Sequence, residues 1–379
     1  MGKVRKVVHL TTVHHPLDPR IFYKECSSLD KAGYDVTLIA PESPDLQLER
    51  QNEISILPLK KYKNRFVSMV FSTIEAYKKA KKLNADFYHF HDPELLPVAW
   101  LLKKKSNVVV YDIHEDYETG IVTRSYLNRP LRVFISKCYK LIEKLLSGNM
   151  ELCLAEKYYQ EKYPRGKCIL NYPLLNPELL KNDELNEDFE NKLLYTGNLT
   201  KDRGALLHAS LPKVDEKVSV FLFGRCSKGL AEEMFQVAGE KQTQLFVEGV
   251  DRYVPKQELD KSYVSQRWLA GLALFPPSDH YKKKELTKFF EYMTAGIPVL
   301  CSDFPVWKEF INKYQCGLTV NPQNESDIKE AIDFLRRNPM KAKEFGNNGR
   351  KAVLEELNWE KEEKKLLDWY SQIGSKNNV

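Results

Sequence analysis

Residues able to do chemistry gather at a few places in this chain of 379 residues. Near the N-terminus an apolar run empties into Thr11-Thr-Val-His14-His15-Pro-Leu-Asp18-Pro-Arg20. Farther on come His89-Phe-His91-Asp92-Pro-Glu94 and Asp112-Ile-His114-Glu115-Asp116. Imidazoles and carboxylates placed together offer mixed donors and acceptors, which suits a polyhydroxyl or phosphate ligand. His89 and His91 fall on one strand face, so a metal held with the neighbouring acids is one reading. The other makes His89 a satisfied sheet histidine and Asp92 the cap of a helix begun by Pro93. Without fixed ligand spacing, the polyhydroxyl reading fits better and no metal is expected.

The second half carries its own candidates. Tyr195-Thr-Gly197-Asn198 leads to Asp202-Arg203-Gly204. A guanidinium on a glycine-flanked turn entering a helix can hold a diphosphate bidentately, or be an ordinary surface charge. Glu285-Leu-Thr287-Lys288-Phe-Phe-Glu291-Tyr-Met-Thr-Ala-Gly296-Ile-Pro298 reads as a helix with Thr287 as N-cap, stopped by Gly296 and Pro298. Its free amides form a ready anion site. Glu291, one turn in, either accepts bonds from sugar hydroxyls or is a solvated flank. Gly224-Arg225-Cys-Ser-Lys-Gly229 is the nearest approach to a glycine loop. There is no G-x-G-x-x-G, Walker A or D-x-D, so a metal-bridged diphosphate is not indicated.

Such residues need elements to position them, and the elements alternate. Short β-branched or apolar runs lie at 6–12, 34–41, 54–59, 86–92, 107–114, 150–155 and 168–172, with helical stretches between. They resume at 192–199, 218–224, 244–249, 271–275, 298–303 and 317–320. Runs apolar throughout suit strands covered on both faces, and strand–helix repetition implies parallel, doubly wound sheets. The acidic stretch 176–190 reads as a linker between two α/β domains, and the cleft between them is the default site.

Composition bounds the class. The chain is 42% hydrophobic and 29% charged, which excludes disordered and collagen-like proteins. Seven cysteines without a C-x-x-C exclude a zinc ribbon and suggest a reducing compartment. No apolar run approaches the roughly 18 residues of a membrane span. No signal peptide or myristoylation pattern stands at the start. A cytoplasmic protein is expected.

Charge is uneven: residues 1–175 hold 28 Lys and Arg against 20 Asp and Glu, the remainder 30 against 32. Two segments concentrate it. Segment 60–82 has eight basic residues and one acid, interleaved with Phe66, Val67, Met69, Val70, Phe71 and Ile74; segment 124–144 has six and one. They can rest on anionic lipid headgroups, at about 1 kcal/mol per basic residue, or pack an apolar face on the sheet. No stacking platform or module for nucleic acid appears.

In order along the chain, these motifs resemble the family 4 glycosyltransferases, in a bacterial surface-polysaccharide branch. The likeness is carried by His9 to Val36, His89 to Pro97, Tyr111 to Asp116, Gly197 with Arg203-Gly204, and Thr287 to Pro298 followed by Ser302-Asp-Phe-Pro. The resemblance implies a GT-B fold of two Rossmann-like domains: an acceptor domain over 1–175, a linker over 176–191, a donor domain over 192–358, and a closing helix and tail over 359–379 that return to the first domain. It implies retaining transfer of a hexose-type sugar from a UDP- or GDP-sugar to a polysaccharide or lipid-linked glycan, with no added cofactor. The acceptor hydroxyl would lose its proton towards the leaving phosphate.

By the same resemblance His114, Arg203 and Glu291 are catalytic. Gly197, Asn198, Arg203, Gly224, Arg225, Val250, Thr287, Lys288 and Glu291 hold the donor. His14, Asp18, Arg20, His91, Asp92 and Glu94 hold the acceptor. Two positions depart from the pattern: Lys283 stands where the family has a glutamate, and Asn198 where it has a cation, a charge for which Lys288 is the candidate to compensate. Those departures keep a non-catalytic sugar-nucleotide module in play. A sugar-nucleotide epimerase using Asp92, Glu94, Glu115 and Asp116 is the other alternative. Peripheral contact with the inner face of an anionic membrane is expected; nucleic acid is not.

Overall fold

The computed structural model describes residues 4–43, 54–62, 64–114, 117, 128–180 and 190–376. The chain divides into two compact units, Met1–Asn171 with Trp359–Val379, and Tyr172–Asn358.

The first unit is built on a sheet of seven strands: β1 (Lys6–Leu10), β2 (Asp35–Pro41), β3 (Ser55–Leu59), β4 (Phe87–Phe90), β5 (Val108–Ile113), β6 (Glu151–Leu154) and β7 (Lys167–Cys168). They lie in the order 3-2-1-4-5-6-7, and every described pairing is parallel. The second unit carries β8 (Glu190–Thr196), β9 (Ser219–Cys226), β10 (Leu245–Val250), β11 (Trp268–Ala273), β12 (Val299–Ser302) and β13 (Gly317–Val320). Their order is 10-9-8-11-12-13, again all parallel. Strands β5 and β11 are buried at every residue, which is why they read as uninterrupted apolar runs. In each sheet the strand order reverses once, between β1 and β4 and between β8 and β11. Ligands of doubly wound folds sit at such points, beyond the carboxyl ends of the strands.

Two strands differ from the sequence expectation. The run at 168–172 is a strand only at Lys167–Cys168; beyond it the Ile169 and Asn171 amides still donate to the Leu154 and Ala155 carbonyls at 3.0 and 3.2 Å, and the Ile169 carbonyl accepts from Arg20 Nη1 at 3.1 Å. The run at 271–275 starts earlier, at Trp268, and stops at Ala273. There the Leu274 amide donates to His208 Nε2 at 3.1 Å and the Phe275 amide to Ser302 Oγ at 2.9 Å.

The last helix, Trp359–Lys376, belongs to the first unit. Its Trp359, Leu366, Tyr370 and Ile373 join Val7, Ile21, Leu29 and Phe87 in one buried cluster. Trp359 Nε1 donates to Ser28 Oγ at 3.0 Å, and the buried Glu362 accepts from the Leu170 amide at 2.9 Å. Trp359→Ala removes both packing and that bond, so urea unfolding should show a loss of about 3–5 kcal/mol. A loss below about 1 kcal/mol would mean the helix is not part of this core.

Candidate functional site

In the first unit, β1, β4 and β5 end beside one another, and the polar motifs follow from that register. His9 pairs with His89 across β1 and β4. The turn Pro19–Cys26 is capped by Asp18, whose Oδ1 accepts from the Arg20 and Ile21 amides at 2.8 and 3.0 Å. Arg20 therefore enters the interior. Its Nε and Nη2 grip Asp112 at 2.9 and 2.8 Å, and Nη2 lies 3.0 Å from Glu25.

Asp112 also accepts from His91 Nδ1 at 3.1 Å and His114 Nδ1 at 3.2 Å. Burial alone would raise its pKa, but the Arg20 charge and these donors hold it well below the usual carboxylate range. Glu25 meets the opposite fate. Burial and the Asp112 charge push it well above the usual range, despite Arg20. Burial also lowers His9, His89 and His91, which are neutral imidazoles.

Both histidines are engaged by their neighbours. His89 Nδ1 meets the Tyr370 hydroxyl at 2.8 Å; His91 uses Nδ1 on Asp112 and Nε2 on His9 Nδ1, at 3.0 Å. Glu25, His89, Asp112 and Cys153 come close enough together to hold an ion. However, the guanidinium already stands among them, 3.5 Å from the Cys153 sulfur, and it supplies the positive charge.

Towards the surface lie His14 and His114, whose Nε2 atoms are 2.9 Å apart. His14 Nε2 is 3.3 Å from Asp92 Oδ1 and His14 Nδ1 is 3.8 Å from Asp18. Asp92 precedes the turn Pro93–Leu95, but its carboxylate does not cap that turn as expected. It reaches back instead to the Thr11 hydroxyl at 2.8 Å and the Thr12 amide at 2.5 Å, while Glu94 accepts from the Thr12 hydroxyl at 3.1 Å. The structure thus brings His14, Asp18, His91, Asp92, Glu94 and His114 together. Arg20 is only 4% exposed and acts on them through Asp112. Glu115 and Asp116 lie outside the described residues.

In the second unit, glycines end the strands. Gly197, Gly224 and Gly249 have φ of +100°, +159° and +102°. A Cβ on Gly224 would sit 1.9 Å from the Gly197 carbonyl, and one on Gly249 2.4 Å from that of Gly224, while Gly197 faces open space. Gly224–Cys226 finishes β9 and Ser227 caps the helix Lys228–Ala238, so the expected glycine loop is a strand end with a capped helix. Asn198 and Arg225 are exposed and Val250 is half-buried beside them. Arg203 Nε donates to the Tyr281 hydroxyl at 3.0 Å, and that hydroxyl donates to Asp202 at 3.0 Å.

The helix after β11 runs Thr287–Thr294, with Leu286 at the N-cap position, so Thr287 is its first residue and not its cap. Gly296, at φ +70°, ends it as expected. Glu291 is not a solvated flank. Its Oε2 accepts from the buried Tyr263 hydroxyl at 2.6 Å, and that hydroxyl also meets Thr196 Oγ1 at 2.8 Å. Lys288 is buried with its ammonium 3.4 Å from the Tyr195 ring centre and 5.0 Å from that of Phe275. Burial, then Arg203, drive its pKa well below the lysine range.

Sequence reasoning missed Tyr263 and Tyr281, which no local motif announces because their partners lie on distant segments, and gave Glu25, inside the motif from His9 to Val36, no role. Asp112 was visible in its motif, but its pairing with Arg20 was not. That pairing gives a sharp contrast. Asp112→Asn strands a buried guanidinium and should cost about 3–5 kcal/mol in urea unfolding at neutral pH. Glu25→Gln replaces a carboxyl already neutral and should cost under about 1.5 kcal/mol. Since the folded Asp112 pKa is depressed, its contribution is present above the ordinary value of 3.8 and fades as pH falls below it; the Asn variant lacks that acid dependence. Equal costs for the two variants would contradict the assignment of charge.

Comparison with known proteins bears on this arrangement. Residues 19–155, in the first unit, match the family described as Glycosyltransferase Family 4. Residues 287–352, in the second, match Glycosyl transferases group 1. No curated protein matches the sequence closely enough to count as a relative. Among solved structures, the fold is similar to sucrose-phosphate synthase from Thermosynechococcus elongatus, with a TM-score of 0.73 and 17% identity over 98% of this chain and 99% of that one. It is similar to a glycosyltransferase from Rickettsia africae at 0.72 and 13%, over 98% and 99%. Anabaena HepE, solved in complex with UDP-glucose, gives 0.68 and 12%, over 97% and 100%. The fold is thus the two-domain GT-B fold, and sugar transfer is the class of reaction that the two matched segments, 19–155 and 287–352, support.

Proposed function

We propose that this chain is a retaining, hexosyl-type glycosyltransferase that takes a UDP- or GDP-sugar in its second unit and an acceptor glycan, polysaccharide or lipid-linked, in its first. The observation that carries the reading is Glu291. It is held by Tyr263 one turn into the helix Thr287–Thr294, in the unit where glycines end β8, β9 and β10. A carboxylate so fixed accepts from ribose hydroxyls. Gly197, where a Cβ would face open space, lets a nucleotide approach the backbone, with Asn198, Arg225 and Val250 beside it and the close-packed Gly224 and Gly249 holding the neighbouring strand ends. Arg203 and the Thr287 and Lys288 amides stabilise the leaving diphosphate, where negative charge grows in the transition state, so the reading requires no metal. In the first unit His114 stands by the transferred sugar and His14, Asp18 and Glu94 hydrogen-bond the acceptor, while His91 and Asp92, both buried and bonded to neighbours, hold that edge in place.

A lipid-linked acceptor is supported by two helices that turn apolar side chains outward. In Arg65–Leu83 the buried face is Ser72, Ala76 and Ala80, while Val70, Phe71 and Ile74 are exposed. In Arg129–Leu146, Ser136 and Glu143 are inside and Phe134, Leu141 and Leu145 outside. The packing on the sheet that the sequence allowed is made by Ala76 and Ala80, with Tyr77, Leu83 and Leu146 against the same core, and it leaves the apolar residues named above outside. With exposed Lys78, Lys81, Lys137 and Lys144 beside them, they suit an anionic bilayer surface at the inner face of a membrane. No described helix is long and apolar enough to cross one.

Two experiments test the reading. In thermal unfolding with UDP, GDP, ADP or CMP, a nucleotide at 100 times its dissociation constant stabilises by about 2.7 kcal/mol. One uridine or guanosine nucleotide should raise the midpoint, and Glu291→Ala or Arg203→Ala should abolish the shift; no shift with any nucleotide favours a module without a donor site. In sedimentation with anionic vesicles, the wild type should pellet and Phe71→Asp with Phe134→Asp should stay in solution. Equal pelleting of the two would remove the membrane contact.

A further inference from the structure

Lys288 is a costly residue where it stands. It is the second residue of the helix Thr287–Thr294, it is 7% exposed, and its Nζ has no hydrogen-bond partner. That nitrogen lies 3.4 Å from the centre of the Tyr195 ring and 5.0 Å from that of Phe275. A ring face attracts a cation but does not replace the hydrogen bonds it gives up with water. A methionine would fill the same space without that cost.

The surroundings oppose a positive charge there. The first turn of a helix is the positive end of its dipole, and this first turn holds no acid to offset it. Arg203 repels a second cation. Asp202 and Tyr281 are engaged with one another and with Arg203. His208, whose ring centre is 4.7 Å from that of Tyr195, is kept neutral by burial. Glu291 pulls towards the charged form, but its Oε2 accepts from Tyr263. Burial prevails, with Arg203 behind it, and holds the amine well below the lysine range.

An anion at the helix start reverses this balance. The amides of the first turn and the Arg203 guanidinium are what a diphosphate would meet. Once it is there, the field that opposed an ammonium favours one. Side chains of a helix lean towards its N-terminus, so rotation of the lysine stem can bring Nζ to the same place. Asn198, exposed at the end of β8, brings no charge of its own.

We propose that Lys288 is a stored cation: its amine rests uncharged against Tyr195 until a nucleotide diphosphate reaches the start of its helix, then takes one proton from solvent and holds the anion beside Arg203. This rests on the reading of the second unit as the donor side. Donor binding is thereby linked to pH. The bound anion raises the lysine's affinity for its proton, so binding is strongest at pH values below the lowered pKa of the free lysine and weakens as pH climbs above it. The proton returns to solvent when the nucleotide leaves.

Titration calorimetry of the full chain with UDP-glucose and with GDP-mannose tests this, because the diphosphate of a nucleotide sugar does not itself titrate near neutrality. Between about pH 7 and 8.5, in two buffers of unlike ionisation heat, proton uptake should climb towards one per nucleotide, and Kd should rise by up to about tenfold per pH unit. Lys288→Met keeps the stem and removes the charge, so it should melt no lower than the wild type at neutral pH. It should bind the same nucleotide sugar about tenfold more weakly at pH 7 and take up no proton. Adding Asn198→Lys to it supplies a fixed cation and should recover affinity without proton uptake. Wild-type binding without proton uptake, uptake that persists in Lys288→Met, or equal affinity in that variant would overturn the proposal and leave the donor reading standing. If neither nucleotide sugar binds the wild type, the donor reading falls and the stored cation with it.

Discussion

The buried pair of Arg20 and Asp112 is the interaction on which the first unit's polar edge depends. Parallel strands bring all their carboxyl ends to one side, so His9, His89, His91 and Asp112 are forced into one another's company. Packed without water, such groups need a complete set of donors and acceptors. The guanidinium provides much of it: two bonds to Asp112, one to the Ile169 carbonyl, and a 3.0 Å contact with the Glu25 carboxyl. Its use is specification more than stability, since a buried ion pair returns little over apolar packing. It fixes which carboxyl is charged, and therefore which nitrogen of each nearby ring carries a proton.

The second unit meets the same topological constraint in the opposite way. Its strand ends are stripped of side chains, and glycine carbonyls and Cα atoms of neighbouring ends touch across β8, β9 and β10. What remains polar is set back on helices: Glu291 against Tyr263 and Thr196, and Arg203 against Tyr281. One unit presents imidazoles and carboxylates, the other bare backbone with a single anchored carboxylate and a guanidinium. That division suits a hydroxyl acceptor on one side and a nucleotide diphosphate on the other.

Thirteen apolar runs in the sequence correspond to the thirteen described strands, because strands covered on both faces cannot alternate in polarity. Their ends were less legible. Strand β11 stops where His208 and Ser302 take the amides of Leu274 and Phe275, and a side chain from a remote segment leaves no local trace. The same holds at the sites. The histidine and aspartate motifs after β1, β4 and β5 announce themselves by type, whereas Arg20 and Asp112 are 92 positions apart and Tyr263 comes from a helix preceding β11. Helical periodicity in 60–82 and 124–144 was visible too, but not which face the sheet would take. Ser72, Ala76, Ala80 and Ser136 fill the inner face with Tyr77, Leu83 and Leu146 at its edge, and Val70, Phe71, Ile74, Phe134, Leu141 and Leu145 stay outside.

The most direct test of the account is the fate of the sugar. Proton NMR can follow UDP-glucose or GDP-mannose with the protein and a lipid-linked oligosaccharide acceptor. A new glycoside with the anomeric configuration of the donor, formed as free nucleoside diphosphate accumulates, is the predicted result. An altered sugar still attached to its nucleotide would make the protein an epimerase. A nucleotide sugar that binds and is recovered unchanged would make it a sensor built on a transferase fold.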